Sequence, residues 1–336
     1  MKHSHILLAH GSGGSMMHEL IREVFLPAFD NPYLRRGNDQ AVFDPPAGRI
    51  AFTTDSYVVQ PLFFPGACIG DLAVHGTIND LAVGGAMPLG LSVGMIIEEG
   101  LEVDTLRRVV NAMRDAALTA GVPLVTGDTK VVERGSCDKL FINTSGVGVI
   151  RDGVNIDGAS ARPGDVVLLS GAIGAHGVAV LSERKGMHFA TPVRSDSRPL
   201  HRLVAAMLDV STQVHVMRDP TRGGVGTTLN EIAAQSAVGI EIDEAALPIS
   251  AEVQGACDLL GLDPLFLANE GALLAIVPEQ HAAAMLAAMR GREEGREACM
   301  IGRVTDSYPG IVRMRTGIGG TRVIPMLTGE VLPRIC

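Results

Sequence analysis

Arg151-Asp152-Gly153-Val154-Asn155-Ile156-Asp157-Gly158-Ala159-Ser160-Ala161-Arg162-Pro163-Gly164-Asp165, running into Val166-Val167-Leu168-Leu169-Ser170-Gly171, decides how this chain is organised. The first part is rich in Gly and Asp and holds a Pro, the composition of a connecting segment. The four apolar residues after it read as a strand buried on both faces and stopped by a Ser-Gly turn. A pattern that breaks and restarts in mid-chain places a domain boundary there. The reading is an N-terminal domain over 1–152, a C-terminal domain over 153–325 and a flexible tail over 326–336.

Upstream of the break, strands are predicted over 49–54, 89–97, 123–126 and 140–150, with helices over 69–83 and 104–120. Downstream, helices are predicted near 199–208, 225–236, 251–260 and 279–289. Strands are predicted near 214–217, 239–242, 272–277, 300–304 and 310–315. Both halves are mixed α/β with similar content, which hints at a duplicated architecture.

With 336 residues, 46% hydrophobic and 19% charged, the chain suits two domains of roughly 150 residues. Forty glycines, no tryptophan and 4% aromatics imply tight turns and argue against platforms for stacking bases. A net charge of −9 likewise argues against a nucleic-acid binder, so phosphate would have to be held by local cations, backbone amides and metal. Five cysteines, with no C-x-x-C, give neither a zinc site nor a disulfide framework, and Cys68, Cys137, Cys257 and Cys299 read as core residues. No apolar run has the length of a membrane span, and Ile6-Leu7-Leu8-Ala9 is too short for a signal-peptide core. A cytoplasmic protein without a membrane partner is the expectation, with Cys336 kept reduced.

Four aspartates are read at the ends of strands or turns: Asp39, Asp55 in Thr54-Asp55-Ser56, Asp80 in Asn79-Asp80-Leu81, and Asp128 in Gly127-Asp128-Thr129-Lys130. Singly, each is better explained as a turn or helix cap. Jointly, and beside Lys130, they have the oxygen-ligand chemistry of Mg²⁺ bound with nucleotide phosphates. Gly11-Ser12-Gly13-Gly14 precedes a helical stretch over 16–25 and could cradle an anion, although a plain turn fits as well and no P-loop or dinucleotide fingerprint is present. Arg218-Asp219-Pro220-Thr221-Arg222-Gly223-Gly224 opens the helix near 225 with an acid, two arginines and two glycines, a composition suited to phosphate or metal-phosphate. Glu270, in Asn269-Glu270-Gly271 at the mouth of a buried hairpin or bend, is a candidate general base or simply a turn glutamate. His10, His75 and His176 beside glycines are weaker candidates for phosphate contacts. The last residue, Cys336, follows a segment without packing period and reads as a thiol on a tether or as a frayed end.

Taken in order, His10-Gly11-Ser12-Gly13-Gly14, Thr54-Asp55-Ser56, Gly76-Thr77-Ile78-Asn79-Asp80-Leu81-Ala82, Thr126-Gly127-Asp128-Thr129-Lys130-Val131-Val132, Asp219-Pro220-Thr221-Arg222-Gly223-Gly224, Asn269-Glu270-Gly271 and Pro333-Arg334-Ile335-Cys336 closely resemble the HypE family of hydrogenase maturation factors, the carbamoyl dehydratases. The likeness covers essentially the whole chain. The Asp motifs and glycine loops alone would indicate only the wider superfamily of aminoimidazole ribonucleotide synthetase, selenophosphate synthetase and thiamine-monophosphate kinase; the terminal cysteine narrows it.

The resemblance implies a two-domain, synthetase-like α/β fold. The N-terminal sheets of a homodimer would pair into a barrel-like core, the C-terminal domain would be an α/β sandwich, and ATP would bind between the domains. It further implies that the terminal thiol receives a carbamoyl group from the carbamoyltransferase HypF. ATP drives its dehydration to a thiocyanate, and the cyanide passes to the HypC–HypD complex as a future ligand of the [NiFe]-hydrogenase iron. Carried onto this chain, Gly11, Ser12, Gly13, Gly14, Asn79, Asp128, Lys130, Arg222, Gly223 and Gly224 would hold ATP, and Asp39, Asp55, Asp80, Asp128 and Asp219 would hold Mg²⁺. Cys336 would carry the substrate, and Glu270 and Lys130 would serve the chemistry. Asp71 departs from the family, where a basic residue is common, and its spacing to His75 suits a surface i, i+4 pair. Two other readings stand beside this one: a small-molecule kinase or synthetase of the same superfamily, and a nucleotide-switched scaffold.

Overall fold

The computed structural model describes residues 1, 3–187, 191–329 and 332–336. The N-terminal half contains α1 (Ser15–Leu20), a π-turn over Ile21–Phe25, α2 (Leu26–Phe29), β1 (Arg49–Tyr57), β2 (Phe63–Phe64), β3 (Ala67–Cys68), α3 (Ile69–Val83), β4 (Ala86–Glu98), α4 (Val103–Ala120), β5 (Leu124–Val132) and β6 (Leu140–Ile150). Four of its strands form a sheet in the order β1-β6-β4-β5, antiparallel except for β4 and β5, which the α4 crossover joins in parallel. The buried residues Tyr57, Ile142, Met95 and Thr129 lie in register on one face.

Helix α3 is apolar nearly all round, which is the pattern of a helix covered on every side. Ile69, Leu72, Val74, Ile78 and Leu81 are all buried. Its start is set by Cys68, whose amide donates to Asp71 Oδ2 at 2.7 Å and whose Sγ accepts from Gly70 N at 3.3 Å. Asp71 is therefore a helix cap and makes no surface pair with His75, which is buried against Ser197 Oγ at 3.0 Å.

The C-terminal half contains β7 (Val166–Leu169), α5 (Ala175–Arg184), α6 (His201–Val210), β8 (Val216–Arg218), α7 (Gly224–Ser236), β9 (Gly239–Asp243), α8 (Ala251–Leu260), β10 (Leu274–Val277), α9 (Glu279–Arg290), β11 (Cys299–Thr305), β12 (Val312–Arg315) and β13 (Thr321–Ile324). Seven strands pair in the order β13-β12-β9-β11-β7-β10-β8. Alternation along β7 explains the layers: Val167 and Leu169 pack with Val225, Leu229 and Ile232 of α7, while Val166 and Leu168 pack with Met207 of α6 and Met285 of α9. This is a two-domain α/β fold with a helix-covered C-terminal sheet. In the single chain neither sheet closes, so a barrel would need a second copy.

Several local expectations are corrected. Asp55 and Asp128 lie inside strands, because β1 and β5 run on to Tyr57 and Val132, and Asp80 lies within α3. Polar runs such as Thr-Asp-Ser look like turns in sequence, yet they can continue a strand whose outer face is open. Helix α5 and strand β13 carry no strong period and were not predicted. Cys68 and Cys257 are buried, whereas Cys137 is partly exposed on the β5–β6 connection. Among the described residues no helix is long and apolar enough to cross a membrane.

Candidate active site

Thr53, Asp55 and Tyr57 share the face of β1 that meets α3, and Thr53 Oγ1 donates to Asp80 Oδ2 at 2.8 Å. Asp219 reaches the same place from the loop between β8 and α7. Its carboxyl is pushed up to about 8, first by removal from water and then by the charge of Asp80. Asp80 is raised too, again mainly by burial and with Asp55 adding to it, while the Thr53 hydrogen bond and Arg218 and Arg222 oppose. Glu270 is the extreme case. Only 4% of it is exposed, its Oε1 has no hydrogen-bond partner, and burial followed by the charges of Asp196, Asp219, Asp55 and Asp80 holds it well above the carboxylate range.

Among the described residues, no three His, Cys, Asp or Glu side chains close into a finished metal cage. What the cluster offers is a set of carboxylate oxygens that repel one another, with one orphaned buried oxygen on Glu270. That chemistry fits Mg²⁺ entering with phosphate oxygens and water, which needs only one or two protein carboxylates.

Glu270 is held by its backbone. It sits on the connection between the turn Pro264–Phe266 and β10, and not at a hairpin mouth. Asp196 accepts from the amides of Glu270 and Gly271 at 3.1 and 3.0 Å. A side chain at Gly271 would strike the Asp196 carbonyl, which explains the glycine. Asn79 donates to the carbonyls of Glu270 and Arg198 at 3.3 and 3.1 Å and accepts from Leu200 N at 2.8 Å. Asn269 ties Gly174 N to the carbonyls of Pro220 and Leu267. Asn79, read from sequence as a nucleotide contact, thus spends its amide on the backbone around Glu270. Asp196 was missed, since a Ser-Asp-Ser triplet in an unpatterned stretch signals only a turn.

Arg222, Gly223 and Thr227 at the start of α7 form one wall of a cleft of about 500 Å³. Leu332, Arg334, Ile335 and Cys336 line the same cleft, together with Ser56, Val58 and Ala268. Gly224 has φ +62°, and any side chain there would meet the carbonyls of Leu265 and Leu267. The tail is irregular, as read from sequence, and residues 332–336 are docked on the body of the protein. Ile335 is 4% exposed, Cys336 packs against the core, and Val58 N donates to Cys336 O at 3.1 Å. Residues 330 and 331 of the tail lie outside the described residues. The three histidines are engaged within the protein: His10 Nδ1 accepts from Leu7 N, His75 meets Ser197, and His176 lies between Ser195 Oγ and Ile335 O.

The remaining predicted residues line a different surface. Asp128 is in register with Gly94, Asn143 and Ser56, on the face of the sheet opposite Asp55. Lys130 Nζ lies 3.6 Å from Asp128 Oδ2, both side chains about two-thirds exposed. The Asp39 carbonyl accepts from Thr126 Oγ1 at 3.5 Å on the same strand. The turn Leu8–Gly11 lies against β5, Ser12 Oγ donates to Ala9 O, and Gly13 and Gly14 lead into α1. Below them an apolar pocket of about 140 Å³ runs from Met17, Phe25 and Phe29 to Gly127 and Asp128. One chain therefore brings together Asp55, Asp80, Asp219 and Glu270, and separately Asp39, Asp128, Lys130 and the glycine turn.

Comparison with known proteins gives a consistent answer. The family profile "AIR synthase related protein, N-terminal domain" matches residues 37–150, and "AIR synthase related protein, C-terminal domain" matches residues 162–314. The chain is 57% identical to the carbamoyl dehydratase HypE of Cupriavidus necator over 337 residues, covering 100% of this chain and 96% of that protein. Its fold is similar to that of a hydrogenase maturation protein HypE solved in complex with ATP, with a TM-score of 0.95, 52% identity and coverage of 98% and 99%. It also matches the HypE chain of a HypE–HypF complex, with a TM-score of 0.81, 48% identity and coverage of 91% and 99%.

Proposed function

The chain belongs to the HypE family of carbamoyl dehydratases, and from that premise we propose that it dehydrates a carbamoyl group carried on its own Cys336, at the expense of ATP, to a thiocyanate for the [NiFe]-hydrogenase iron. The observation that carries this reading is the docked tail: Cys336 lines the same cleft as Arg222 and Gly223, and Ala268 in that cleft stands two residues before Glu270. A HypE has been solved with ATP and another with HypF, which supports ATP as co-substrate and a HypF-like carbamoyl donor for this chain. The HypC–HypD complex as acceptor and a cytoplasmic location follow from the same reading.

A carbamoyl oxygen is a poor leaving group. Transfer of the γ-phosphoryl to it releases ADP and, with loss of one nitrogen proton, leaves an imidate phosphate on sulfur; loss of the second nitrogen proton then forms C≡N as phosphate departs. The oxygen of the expelled water leaves within the phosphate. Glu270 is built as the base: burial and the charges of Asp196, Asp219, Asp55 and Asp80 raise its proton affinity above that of an ordinary carboxylate, and its ionised form takes the proton. Arg222 would offset charge on the phosphoryl group, and the α7 N-terminus adds amides of the same sign. Mg²⁺, held by Asp55, Asp80 and Asp219, would neutralise phosphate charge. On the other surface Asp39 and Asp128 would hold Mg²⁺ that balances the nucleotide phosphates, while Lys130 and the Gly11–Gly14 turn would meet the phosphates directly.

The open sheet face supports a homodimer. It exposes Ile50 (55%), Phe52 (69%), Met87 (42%) and Ile96 (43%), an apolar surface that monomers rarely leave bare. Two such faces together would form the barrel-like core, with 1–152 as the pairing unit and 153–325 as the outer domain.

The test is the intact mass of the C-terminal peptide after incubation with the carbamoyl donor system, with and without Mg-ATP. A carbamoyl adduct on Cys336 that loses one water only with ATP is expected. An unmodified thiol with a competent donor would return the reading to a small-molecule kinase.

A further inference from the structure

Four consecutive carbonyls of the tail each accept a hydrogen bond from the body of the protein. Arg184, at the end of α5, donates from Nη1 to Pro333 O at 2.7 Å and from Nη2 to Arg334 O at 2.6 Å, and its Nε donates to Gln60 O at 2.8 Å. His176, about two turns earlier on the same helix, lies 2.8 Å from Ile335 O through Nε2. A carbonyl can only accept, so Nε2 carries the proton and Nδ1 accepts from Ser195 Oγ at 2.9 Å. Val58 N closes the series on Cys336 O at 3.1 Å. In the other direction Arg334 donates to Val58 O at 3.0 Å, to Gln60 Oε1 at 3.3 Å and to Asp138 Oδ2 at 2.7 Å.

We propose that Arg184, His176 and Asp138 form a clamp that reads the tail through its backbone and through Arg334, and are positioning residues for the chemistry at Cys336. The proposal rests on the function given above and adds the device that seats the substrate. None of these contacts involves the sulfur, so they persist whether it carries hydrogen, a carbamoyl group or a cyanide. Ile335 supplies the apolar anchor, buried with Val180 of α5 and Ala268. The side chains divide by strength. His176 and Ile335 are buried and give register. The Arg334–Asp138 pair is about one-third exposed on each side and therefore yields to salt. Asp138 also offsets the repulsion between the adjacent guanidinium groups of Arg184 and Arg334, which burial and mutual charge both disfavour. Asp138 does not itself line the cleft, so its loss would loosen the tail while leaving the Arg222 side of the cleft in place.

The test uses the full-length protein with Arg184→Gln, Asp138→Asn, His176→Ala and His176→Gln, the last keeping an N–H donor. Three rates are read by mass of the C-terminal peptide: alkylation of Cys336 by iodoacetamide, loading from the carbamoyl donor, and single-turnover loss of water with Mg-ATP. Arg184→Gln and His176→Ala are expected to raise alkylation about threefold or more and to slow dehydration about tenfold, with loading unchanged or faster. Asp138→Asn gives the same signs with smaller changes, matched in the wild type by raising salt, and His176→Gln restores much of the dehydration rate. Alkylation and dehydration that stay at wild-type values would overturn the clamp. So would loading and dehydration that fall in parallel with a lowered melting temperature, since that is a folding defect. Failure of the wild type to lose water from a carbamoylated Cys336 would instead overturn the functional reading, while the alkylation rates would still decide the clamp.

Discussion

The two acidic neighbourhoods of this molecule use the same residue types in opposite surroundings. Around Glu270, burial and mutual repulsion raise Asp80, Asp219 and Glu270 together, and one Glu270 oxygen is left without a partner. On β5, Asp128 stands in water beside Lys130, 3.6 Å away. Desolvation turns the first set into groups that seek a cation or a proton, whereas the second set is a solvated pair whose use depends on what is brought to it. Since the two lie on opposite faces of one sheet, a single chain does not unite them.

The largest expected effect breaks the buried side. Glu270→Gln is expected to slow dehydration by about 10²–10⁴-fold while ATP binding, followed by titration, stays within a few-fold of wild type. The variant should melt no lower than the wild type, because it removes a buried carboxylate that its neighbours repel. Wild-type turnover in this variant would move the base elsewhere, and collapse of the fold would mean that Glu270 is held for structure.

Next in size is a charge on the open face. Phe52→Lys is expected to weaken self-association by about 10²-fold, read by sedimentation over a concentration series, because a buried Lys loses hydration that a barrel core cannot return. Unchanged association would place the dimer contact elsewhere. If the open faces do pair, the two acidic neighbourhoods could serve one reaction from two chains. Glu270→Gln and Lys130→Ala, each inactive alone, should then recover about a quarter of wild-type turnover when mixed and re-equilibrated, half of the dimers having one intact site. No recovery would show that each chain uses its own two surfaces.

How much of this could be read from the residues follows the same division. Strand β7 and helix α3 were legible because apolar patterns fix them, and the acidic motifs at Asp55, Asp80 and Asp219 were legible as motifs. Their partial burial was not, since Thr-Asp-Ser reads as a turn until β6 is found beside it. The partition of Asp128 and Lys130 onto the other face required the register of three strands, a non-local fact that no window of sequence holds. Asp196 and most of the clamp on the tail were invisible for a related reason: they act on backbone groups, which every residue carries alike, and the Arg334–Asp138 pair joins residues 196 positions apart.

A smaller effect sharpens the buried side through pH. A carboxyl whose folded pKa is raised keeps its proton in the folded state after the unfolded chain has released it, so it lowers stability progressively as pH climbs from the ordinary aspartate range near 4 to about 8, and no further above that. Asp219→Asn should remove this term. Without nucleotide, its melting temperature relative to wild type is expected to rise by a few degrees between pH 5 and pH 8. Mg-ATP should erase the gain, because bound cation stabilises the ionised wild-type carboxylate and not the amide. A difference independent of pH would mean that Asp219 is ionised in the unliganded protein, relieved by Arg218.

The smallest effect belongs to the exposed pair and completes the contrast. Asp128 and Lys130 are both about two-thirds exposed at 3.6 Å, so their attraction is screened by water and costs side-chain entropy to organise. Asp128→Asn should therefore change unfolding stability by less than about 1 kcal/mol in urea titrations. Nucleotide affinity is expected to fall by a larger factor, because phosphate and cation must be met at this surface by whole charges. Equal loss in stability and affinity would mean that the pair is part of the fold. A loss confined to affinity would identify β5 as the half of the site that the protein keeps in solvent until nucleotide or a second chain covers it.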